Sequence, residues 1–261
     1  MKSLHNVKSV FLASKVLGNA LLNKLYNLVY PRYCLHCGPD GMGETEGVAD
    51  TYFCEDCIKK IRRITGPVCS VCHVPFVSEA AMSHTPEHCC GDCREHPPSF
   101  SRAITPFYYE GPLATAIQKF KYNKQTYLSD FLVGFLMDDL INLPVDRVIA
   151  IPLHPHRLRN REFNQSLLLT KKIANLIARP YSIDALIRHR ETLPQVGLSG
   201  REREENVKGA FQVLRPHEVK DQSILLVDDV YTTGTTLREG AKALKVGGAK
   251  NVIVAAVART V

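Results

Sequence analysis

Nine cysteines lie between Cys34 and Cys93, and none occurs in the 168 residues that follow. Eight of them form four Cys-x-x-Cys pairs. Sixteen residues separate the first pair from the second and seventeen separate the third from the fourth, which is the spacing at which two such turns close on one tetrahedral zinc ion. The pattern predicts two structural zinc sites, with the ligands Cys34, Cys37, Cys54 and Cys57 in one and Cys69, Cys72, Cys90 and Cys93 in the other.

Spacing alone leaves some details of these sites open. The pairs could instead interleave, first with third and second with fourth, and Cys89 could replace Cys90. His36, His73 and His88 lie close enough in sequence to compete as ligands. Disulfides would require an oxidising compartment, and we expect no export of this chain. Redox-active pairs normally end a strand of a thioredoxin-like unit, whereas short polar stretches surround these cysteines. Structural zinc is therefore the preferred interpretation.

A proline-containing stretch at residues 96–100 follows the last cysteine and predicts a domain boundary. We expect a basic amphipathic helix over 1–30, a double zinc ribbon over 31–97 and a larger domain over 103–261. Lys and Arg number 10 against 10 Asp and Glu in residues 1–100, but 23 against 16 in residues 101–261. The positive excess, which favours an anionic partner, thus lies in the larger domain. A hydrophobic content of 45% excludes a disordered chain.

The first 30 residues contain four lysines, no acidic residue and apolar residues at near-helical spacing. Lysines interrupt each apolar run, so the segment predicts neither an export signal nor a transmembrane span. We expect a cytoplasmic protein. The helix either packs on the next module or binds a partner or a membrane surface, which leaves peripheral attachment to the inner membrane open.

Residues 107–261 alternate between helical and strand-like patterns. Helices are predicted over 111–122, 128–143, 166–178 and 237–246, and strands over 148–153, 184–190, 211–214, 223–230 and 251–258. The strands are apolar on both faces. This pattern predicts an α/β fold, a mostly parallel sheet with helices on both faces.

The stretch Val227–Thr236, VDDVYTTGTT, places two aspartates at the end of a buried strand and follows them with a threonine-rich turn that opens a helix. Free amides at a helix start attract an anion, and threonine hydroxyls add donors, which together predict a phosphate site. The two carboxylates would repel a phosphate, so they are expected to face sugar hydroxyls or a magnesium ion. With the basic loop predicted at 154–165, these features describe a phosphorylated ribose that carries a second polyphosphate group.

Ile224–Thr236 resembles the binding motif of the type I phosphoribosyltransferases, whose cosubstrate is 5-phosphoribosyl 1-pyrophosphate (PRPP) with magnesium. The cysteine pairs, the stretch Arg161–Gln165 and the segment from Arg190 to Asn206 resemble more narrowly the ComF family. Those competence or DNA-utilisation proteins join a double zinc ribbon to such a domain. The resemblance covers roughly residues 30–258. Glu162 departs from it, because the family usually has glycine there.

The resemblance implies roles for particular residues. Asp228 and Asp229 would be the catalytic residues and hold the ribose 2- and 3-hydroxyls. The 5-phosphate would be bound by Thr232, Thr233, Gly234, Thr235 and Thr236, and the pyrophosphate by Arg157, Arg159 and Arg161. The segment 190–206 would be a mobile hood that excludes water, with contacts from Arg190, Gln195, Arg201 and Asn206.

Two classes of function remain in competition at this point. In the first, the protein is an enzyme that transfers phosphoribose from PRPP to an acceptor that the sequence does not identify. In the second, it is a handling factor for imported single-stranded DNA that binds PRPP or nucleotides as a ligand and docks proteins of the DNA-uptake machinery through its ribbons. The resemblance implies DNA use, and the intact acidic pair implies PRPP binding with Mg²⁺.

Two further groups of charged residues serve as comparisons. Asp138 and Asp139 lie in a helical pattern with no phosphate loop behind them, so we expect a solvated helix face. Lys119, Lys121 and Lys124 alternate with Phe120 and Tyr122, as in single-strand binders. The polar face of a helix explains these lysines equally well.

Overall fold

The computed structural model describes residues 33–38, 52–76, 88–161, 163–192 and 200–261. The chain separates into two compact units, Met1–Lys60 and Ile61–Val261. The division falls inside the predicted ribbon module and assigns the two cysteine quartets to different units. The predicted N-terminal helix over 1–30 lies outside the described residues.

In the first unit the described residues surround the first quartet. Cys34 and Gly38 form a two-residue antiparallel bridge, and the short helix α1 (Glu55–Lys59) begins directly after Cys54. Cys54 adopts an extended backbone as the residue before the helix. Each Cys-x-x-Cys pair therefore forms a tight turn that directs its two sulfurs to one side.

The second unit is built on a parallel sheet, as the alternating pattern predicts. Its strands are β1 (Arg102–Ile104), β2 (Phe107–Tyr108), β3 (Arg147–Ala150), β4 (Tyr181–Ser182), β7 (Ser223–Tyr231) and β8 (Asn251–Arg259). Their order is β1-β8-β7-β3-β4, with β2 also paired to β8, and every pairing is parallel. The long central strands β7 and β8 are buried along nearly their whole length. Their continuous apolar runs reflect this burial on both faces.

The helices that lie between these strands in the sequence are α3 (Gly111–Tyr122), α4 (Leu128–Gly134), α5 (Met137–Leu140), α7 (Gln165–Leu176) and α9 (Thr235–Val246). Of these, α7 and α9 pack on the sheet, and α4 packs against α3 and α7. Helix α3 agrees with the predicted 111–122. The single helix predicted over 128–143 is wrong, since it is divided into α4 and α5. The break follows Gly134, a residue of low helix propensity.

Two further segments differ from the sequence prediction. The basic stretch predicted as a loop contains a helix, α6 (Pro155–Arg161). Proline at a first helical position costs no hydrogen bond and has a suitable φ, which explains the start at Pro155. The strand predicted at 184–190 does not belong to the main sheet. Instead, β5 (Leu186–Arg188) pairs antiparallel with β6 (Phe211–Val213).

The segment between these two short strands corresponds to the predicted hood. It contains the helix α8 (Gly200–Val207), while residues 193–199 are outside the described residues. Gly209 donates its amide to Oε2 of Glu239 on α9 at 2.8 Å. The C-terminal end of the hood is therefore attached to α9.

The second cysteine quartet belongs to the core of this unit. Its helix α2 (Gly91–Glu95) begins after Cys90, and Cys69, Cys72 and Cys93 are buried in one cluster with Phe100 and Tyr231. Ala103 of β1 donates its amide to the carbonyl of Val71, at 2.7 Å, so the sheet edge and the ribbon are hydrogen-bonded. A search of the described residues finds no helix that combines the length and apolar character of a membrane span.

Candidate functional site

The two aspartates of the VDDV stretch lie where β7 extends past its neighbour. The last aligned pair of β3 and β7 is Ala150 with Val227, whereas β7 remains paired with β8 as far as Tyr231. Asp228 and Asp229 therefore follow the end of β3 at the carboxyl edge of the sheet. Ligands of open parallel sheets bind at this edge.

Asp228 is held by a side chain from the neighbouring helix. Its Oδ1 accepts hydrogen bonds from Oγ of Ser166 at 2.8 Å and from the amide of Asp229 at 2.9 Å. Ser166 is the second residue of α7, and Asn164 caps that helix by accepting from the amide of Leu167. The Asn164–Ser166 stretch thus orients one of the two carboxylates. Ser166 is not among the predicted site residues, although it directly follows the stretch Arg161–Gln165 that resembles the ComF family.

Asp229 forms an ion pair with Lys121, the penultimate residue of α3. Lys121 Nζ lies 2.8 Å from Asp229 Oδ1, and the side chains are 19% and 9% exposed. Gln165 on α7 donates through Nε2 to the carbonyl of Lys121 at 3.0 Å, which fixes the end of α3 beside the aspartates. Lys121 therefore points inward, and neither of the two roles considered from sequence describes it.

Burial and neighbouring charges shift the pKa values of Asp228 and Lys121. Desolvation and the adjacent Asp229 carboxylate raise the pKa of Asp228 to about 7, against the opposing influence of Lys121 and Ser166. Burial alone would lower the pKa of Lys121, but the carboxylates of Asp229 and Asp228 more than offset it and raise that pKa. The lysine therefore stays charged, while Asp228 can exchange a proton near neutral pH.

The threonine-rich turn is shaped as an anion site. Gly234 lies at φ +75°, precedes α9, and no side chain caps the helix start. The first amide in this turn with a helical partner is that of Arg238, which donates to the Gly234 carbonyl at 2.8 Å. The preceding amides of α9 have no intrahelical acceptor. Oγ1 of Thr233 lies 2.7 Å from Oγ1 of Thr235, so hydroxyls line the same turn. Amides, hydroxyls and the helix dipole favour a phosphate here.

A cavity of about 400 Å³ adjoins this turn. Thr233, Thr235 and Lys242 line one side of it, and Asp92 and His96 from the second ribbon line another. The threonine-rich turn is thus open on the side where the ribbon lies. The sequence does not predict this cavity, because Asp92 of the ribbon and Thr235 of α9 are 143 positions apart in the chain.

The structure describes the backbone position of the three arginines that are predicted to bind the pyrophosphate, and the exposure of one of them. Arg157, Arg159 and Arg161 lie on α6, which follows β3 at the sheet edge that carries the aspartates, and Arg159 is exposed. Nδ1 of His156 lies 2.9 Å from Oε1 of Glu191, which connects α6 to the start of the hood.

Arg190 makes its described contacts within the hood. Its Nη2 donates to the carbonyls of Asn206 and Lys208, at 3.2 and 2.6 Å. These bonds fasten the two ends of the hood to each other. Gln195 lies outside the described residues, and Arg201 is on α8.

The second acidic pair differs from the first in its surroundings. Asp138 is exposed, and Asp139 accepts from Nη2 of Arg63 through both oxygens, at 2.8 and 2.7 Å. No phosphate turn adjoins these residues in the part of the chain that the structure describes. Asp139 therefore belongs to a surface ion pair, and Asp138 lies on an exposed helix face.

The cysteines form the two quartets of the preferred pairing. Within each of the sets Cys34, Cys37, Cys54, Cys57 and Cys69, Cys72, Cys90, Cys93, the sulfurs lie within 4.8 Å of one another. Cys37 Sγ and Cys54 Sγ are 3.7 Å apart, as are Cys72 Sγ and Cys90 Sγ. Zn–S bonds of about 2.3 Å in a tetrahedron require sulfur separations of about 3.8 Å. These are two structural zinc sites.

Backbone contacts support the thiolate form of the ligands. Cys69 Sγ accepts from the amides of Cys72 and Cys90, at 3.4 and 3.3 Å. Cys89 lies outside the quartet, and among the described histidines His73 instead bonds to Thr105 through Nδ1. The sulfurs thus group in the sequential pairing, with Cys90 rather than Cys89 in the second quartet, and no histidine of the described residues joins either group.

Comparison with protein families agrees with a cysteine-rich zinc region followed by a parallel-sheet domain. Residues 164–260 match the profile of a phosphoribosyl transferase domain, and residues 25–96 match that of a double zinc ribbon domain. The predicted fold class is confirmed: a mostly parallel sheet with helices, preceded by a cysteine-rich zinc ribbon region.

Several named proteins resemble most of the chain. "DNA utilization protein YhgH" of Escherichia coli K12 is 33% identical over 215 residues, which span 79% of this chain and 90% of that protein. "Competence protein F" of Haemophilus influenzae is 29% identical over 235 residues, spanning 87% and 96%. "Competence protein ComFC" of Streptococcus pneumoniae is 28% identical over 204 residues, spanning 78% and 86%.

Solved structures give a weaker likeness. The purine phosphoribosyltransferase of Pyrococcus horikoshii aligns with a TM-score of 0.33 at 19% identity, covering 51% of this chain and 73% of that one. A score at this level supports no conclusion about substrate.

Proposed function

The chain belongs to the ComF family of competence and DNA-utilisation proteins, and on this basis we propose that it binds PRPP together with Mg²⁺ and acts in the use of imported single-stranded DNA. The observation that carries the proposal is the adjacency of an acidic pair and an uncapped, threonine-rich helix start, Asp228–Asp229 and Thr232–Thr236. A phosphorylated ribose carries a diol and a phosphate on one small molecule, so a ligand of this kind can contact the acidic pair and the turn at the same time.

Each part of the site contributes a different interaction. The carboxylates of Asp228 and Asp229 accept hydrogen bonds from the ribose hydroxyls, and Ser166 and Lys121 hold them in place. The amides at the start of α9 and the hydroxyls of the turn bind the 5-phosphate. Mg²⁺ prefers oxygen ligands, and the acidic pair supplies them beside the ligand's own phosphates. When bound, the ion neutralises charge that develops on the leaving pyrophosphate.

The remaining polyphosphate would be bound by the basic helix α6. Its three arginines follow the strand adjacent to β7, so their backbone lies at the same edge as the aspartates. The His156–Glu191 contact connects the start of the hood to this region, and Arg190 fastens the two ends of the hood to each other. A hood that closes over the ligand would exclude water and protect the reactive anomeric carbon from hydrolysis.

Calorimetry with PRPP and MgCl₂ tests the binding proposal. The native chain should release or absorb heat in a saturable, Mg²⁺-dependent manner. The Asp228→Asn/Asp229→Asn variant should show a loss of affinity of at least about 100-fold, because two hydrogen bonds to charged groups are removed. Asp138→Asn/Asp139→Asn is the matched control, and it should bind as the native chain does.

The outcome against the proposal is equally definite. Equal heats from the native chain and the Asp228→Asn/Asp229→Asn variant would show that the acidic pair does not bind the ligand. Loss of binding in both paired variants would indicate a general effect of removing acidic groups.

The acceptor distinguishes an enzyme from a ligand-responsive DNA adaptor. Labelled PRPP should be incubated with the native chain, a pool of cell metabolites and single-stranded DNA. Label transferred to a small molecule supports a phosphoribosyltransferase of nucleotide metabolism, and label on DNA supports direct modification. Binding without transfer supports an adaptor that docks proteins of the uptake machinery.

The DNA part of the proposal follows from the names of the relatives and from charge. The excess of Lys and Arg lies in residues 101–261. Single-strand affinity should therefore fall steeply with salt concentration, since neutralised phosphates release counterions. A single-strand affinity that does not change with salt concentration would contradict the assignment of DNA binding to the basic residues of 101–261.

The zinc ligands bear on the compartment. Thiolate quartets persist where disulfides do not form, so we propose that the protein works in the cytoplasm. Attachment to the inner membrane stays a prediction for the N-terminal segment, which is outside the described residues.

A further inference from the structure

Tyr231, the last residue of β7, lies directly beneath the threonine-rich segment Thr232–Thr236, which we call the phosphate turn. The residue is 3% exposed. A Cβ atom on Gly234 would lie 2.2 Å from its hydroxyl oxygen and 2.3 Å from Cζ. The ring therefore occupies the space that any other residue at position 234 would require. The position of the Tyr231 ring thus determines how the turn enters α9.

Arg238 connects the start of α9 to the second zinc ribbon. Its backbone amide donates to the carbonyl of Gly234 at 2.8 Å, at the end of the threonine-rich turn. Its guanidinium donates from Nη1 to the carbonyl of His96 at 2.7 Å and forms an ion pair with Asp92. Nη2 lies 3.8 Å from Sγ of Cys93. One residue of α9 thus contacts both the turn and the last cysteine turn of the ribbon.

Arg259 connects Tyr231 to the same ribbon. It is the partner of Tyr231 in the pairing of β7 with β8, and its guanidinium carbon lies 4.9 Å from the centre of the tyrosine ring. Nη1 donates to the carbonyl of Cys72 at 2.6 Å, and the residue is 5% exposed. Cys72 belongs to the same quartet as Cys93. Two ligands of one zinc site are therefore linked to the turn: Cys72 through Arg259 to Tyr231 before it, and Cys93 through Arg238 to α9 after it.

Arg259 is buried and Arg238 is partly buried, and the burial of both guanidinium groups needs compensation. A desolvated guanidinium is costly unless acceptors surround it, and charge-assisted hydrogen bonds are among the strong ones. The acceptors here are carbonyl groups and a carboxylate of the cysteine turns. Among the described residues these turns have one short helix, α2, and a few backbone hydrogen bonds such as that from Ala103 to Val71, so zinc ligation contributes much of the free energy that fixes their backbone. Without the metal the acceptors would lose their fixed positions.

We propose that the second zinc ribbon positions the phosphate turn through Arg238, Arg259 and Tyr231, so that zinc at the Cys69, Cys72, Cys90 and Cys93 quartet is required for anion binding at Thr232–Thr236. These three are positioning residues, since none of them supplies the amides that bind the anion. The identity of that anion, PRPP, rests on the proposed function above, but the effect on the turn itself does not.

Hydrogen–deuterium exchange of the full-length, zinc-loaded protein measures the turn without any ligand. Arg238→Met should keep both zinc ions by elemental analysis, yet amides of the peptide 232–237 should exchange at least about tenfold faster, since a charge-assisted hydrogen bond is lost. Cys93→Ser should lose one zinc ion and show the same acceleration. PRPP affinity should fall about tenfold in Arg238→Met, in proportion to the exchange.

Two matched variants separate this from general destabilisation. Arg215→Met removes an arginine that forms an ion pair with Asp184, outside this cluster, and should leave the peptide 232–237 unchanged. Cys37→Ser removes a ligand of the first quartet, in the other compact unit, and should lose one zinc ion without accelerating that peptide.

Native-like exchange of the 232–237 peptide in Arg238→Met, with or without zinc loss in Cys93→Ser, would overturn the proposal. Should Cys93→Ser fail to fold, Arg238→Met still decides the question. If the native protein binds no PRPP but its turn responds to Arg238→Met, the proposed function fails and the positioning role stands. If PRPP binds equally to the native and Arg238→Met proteins, the proposed function stands and the positioning role fails.

Discussion

The ammonium group of Lys121 lies 2.8 Å from Oδ1 of Asp229, although 107 residues separate them in the chain. The lysine is the penultimate residue of α3, at the carboxyl edge of the sheet, where Gln165 holds its backbone carbonyl. It is the counter-charge of the acidic pair. Any diol or metal ion that binds the carboxylates therefore meets a site with one positive charge already in place.

Lys121→Met should lower the free energy of unfolding by about 3 kcal/mol, because a largely buried carboxylate is left without its partner. Urea denaturation measures the change. The double variant Lys121→Met/Asp229→Asn should recover most of the loss, since it removes both charges. Lys172→Met, whose partner Asp130 is 73% exposed, should cost less than about 1 kcal/mol. Additive losses in the double variant would contradict the pairing.

Ser166→Ala should weaken PRPP binding by about tenfold, because Asp228 loses a hydrogen bond that orients it and favours its charged form. Titration calorimetry provides the measurement. Thr170→Ala on the same helix is the control: Thr170 Oγ1 is buried and makes no hydrogen bond within the described part of the chain. Equal affinities of the two variants would show that the Ser166 hydroxyl has no role in the site.

Stability should depend on pH through Asp228. Its pKa of about 7 in the folded state exceeds the ordinary value of about 4, so the folded state binds this proton more tightly than the unfolded state does. The resulting stability is fully present below pH 4 and is lost as pH rises through 7. Asp228→Asn, which mimics the protonated form, should therefore gain Tm relative to the native protein between pH 5.5 and 8.5. Parallel Tm profiles would rule this out.

Gly234→Ala should lose phosphate binding and destabilise the protein. The left-handed backbone at φ +75° costs a non-glycine residue about 1 kcal/mol, and the new Cβ would overlap the Tyr231 side chain. Thermal unfolding and PRPP titration test both effects. Gly134→Ala, where no atom lies within 4 Å of the added carbon, should behave as native. A Gly234→Ala protein with native affinity would refute the role of the close approach.

Zinc content should distinguish the adjacent cysteines Cys89 and Cys90. Cys90 belongs to the second quartet and Cys89 does not. Elemental analysis should therefore find two zinc ions per chain in the native protein and in Cys89→Ser, but one in Cys90→Ser. A chelator should also lower Tm, since metal binding contributes to the stability of the ribbons. Loss of zinc from Cys89→Ser would reverse the assignment.

Local patterns were sufficient for much of the architecture. The continuous apolar runs at residues 223–230 and 251–258 predicted central parallel strands, and both are found. The Cys-x-x-Cys spacing predicted two sites with the sequential pairing. In each case the information lies within about twenty residues, because period and loop length are properties of a short stretch.

Other features could not be predicted from local sequence patterns. The basic stretch at 154–165 looked like a loop because its residues are polar, but Pro155 starts a helix there. The strand at 184–190 was assigned to the main sheet, yet Leu186–Arg188 pairs with Phe211–Val213. Strand partners depend on contacts between distant segments, and a run of apolar residues does not specify them.

What the sequence by itself determined is which chemical groups are present and in what local order: thiols in pairs, two carboxylates at a strand end, hydroxyls at a helix start. Only the tertiary structure decided which groups meet. It brought Lys121 and Ser166 to the two aspartates, and it joined the second ribbon to α9 through Arg238 and to Tyr231 through Arg259. The reason is physical, since a buried charge needs a partner and the fold can take that partner from any part of the chain.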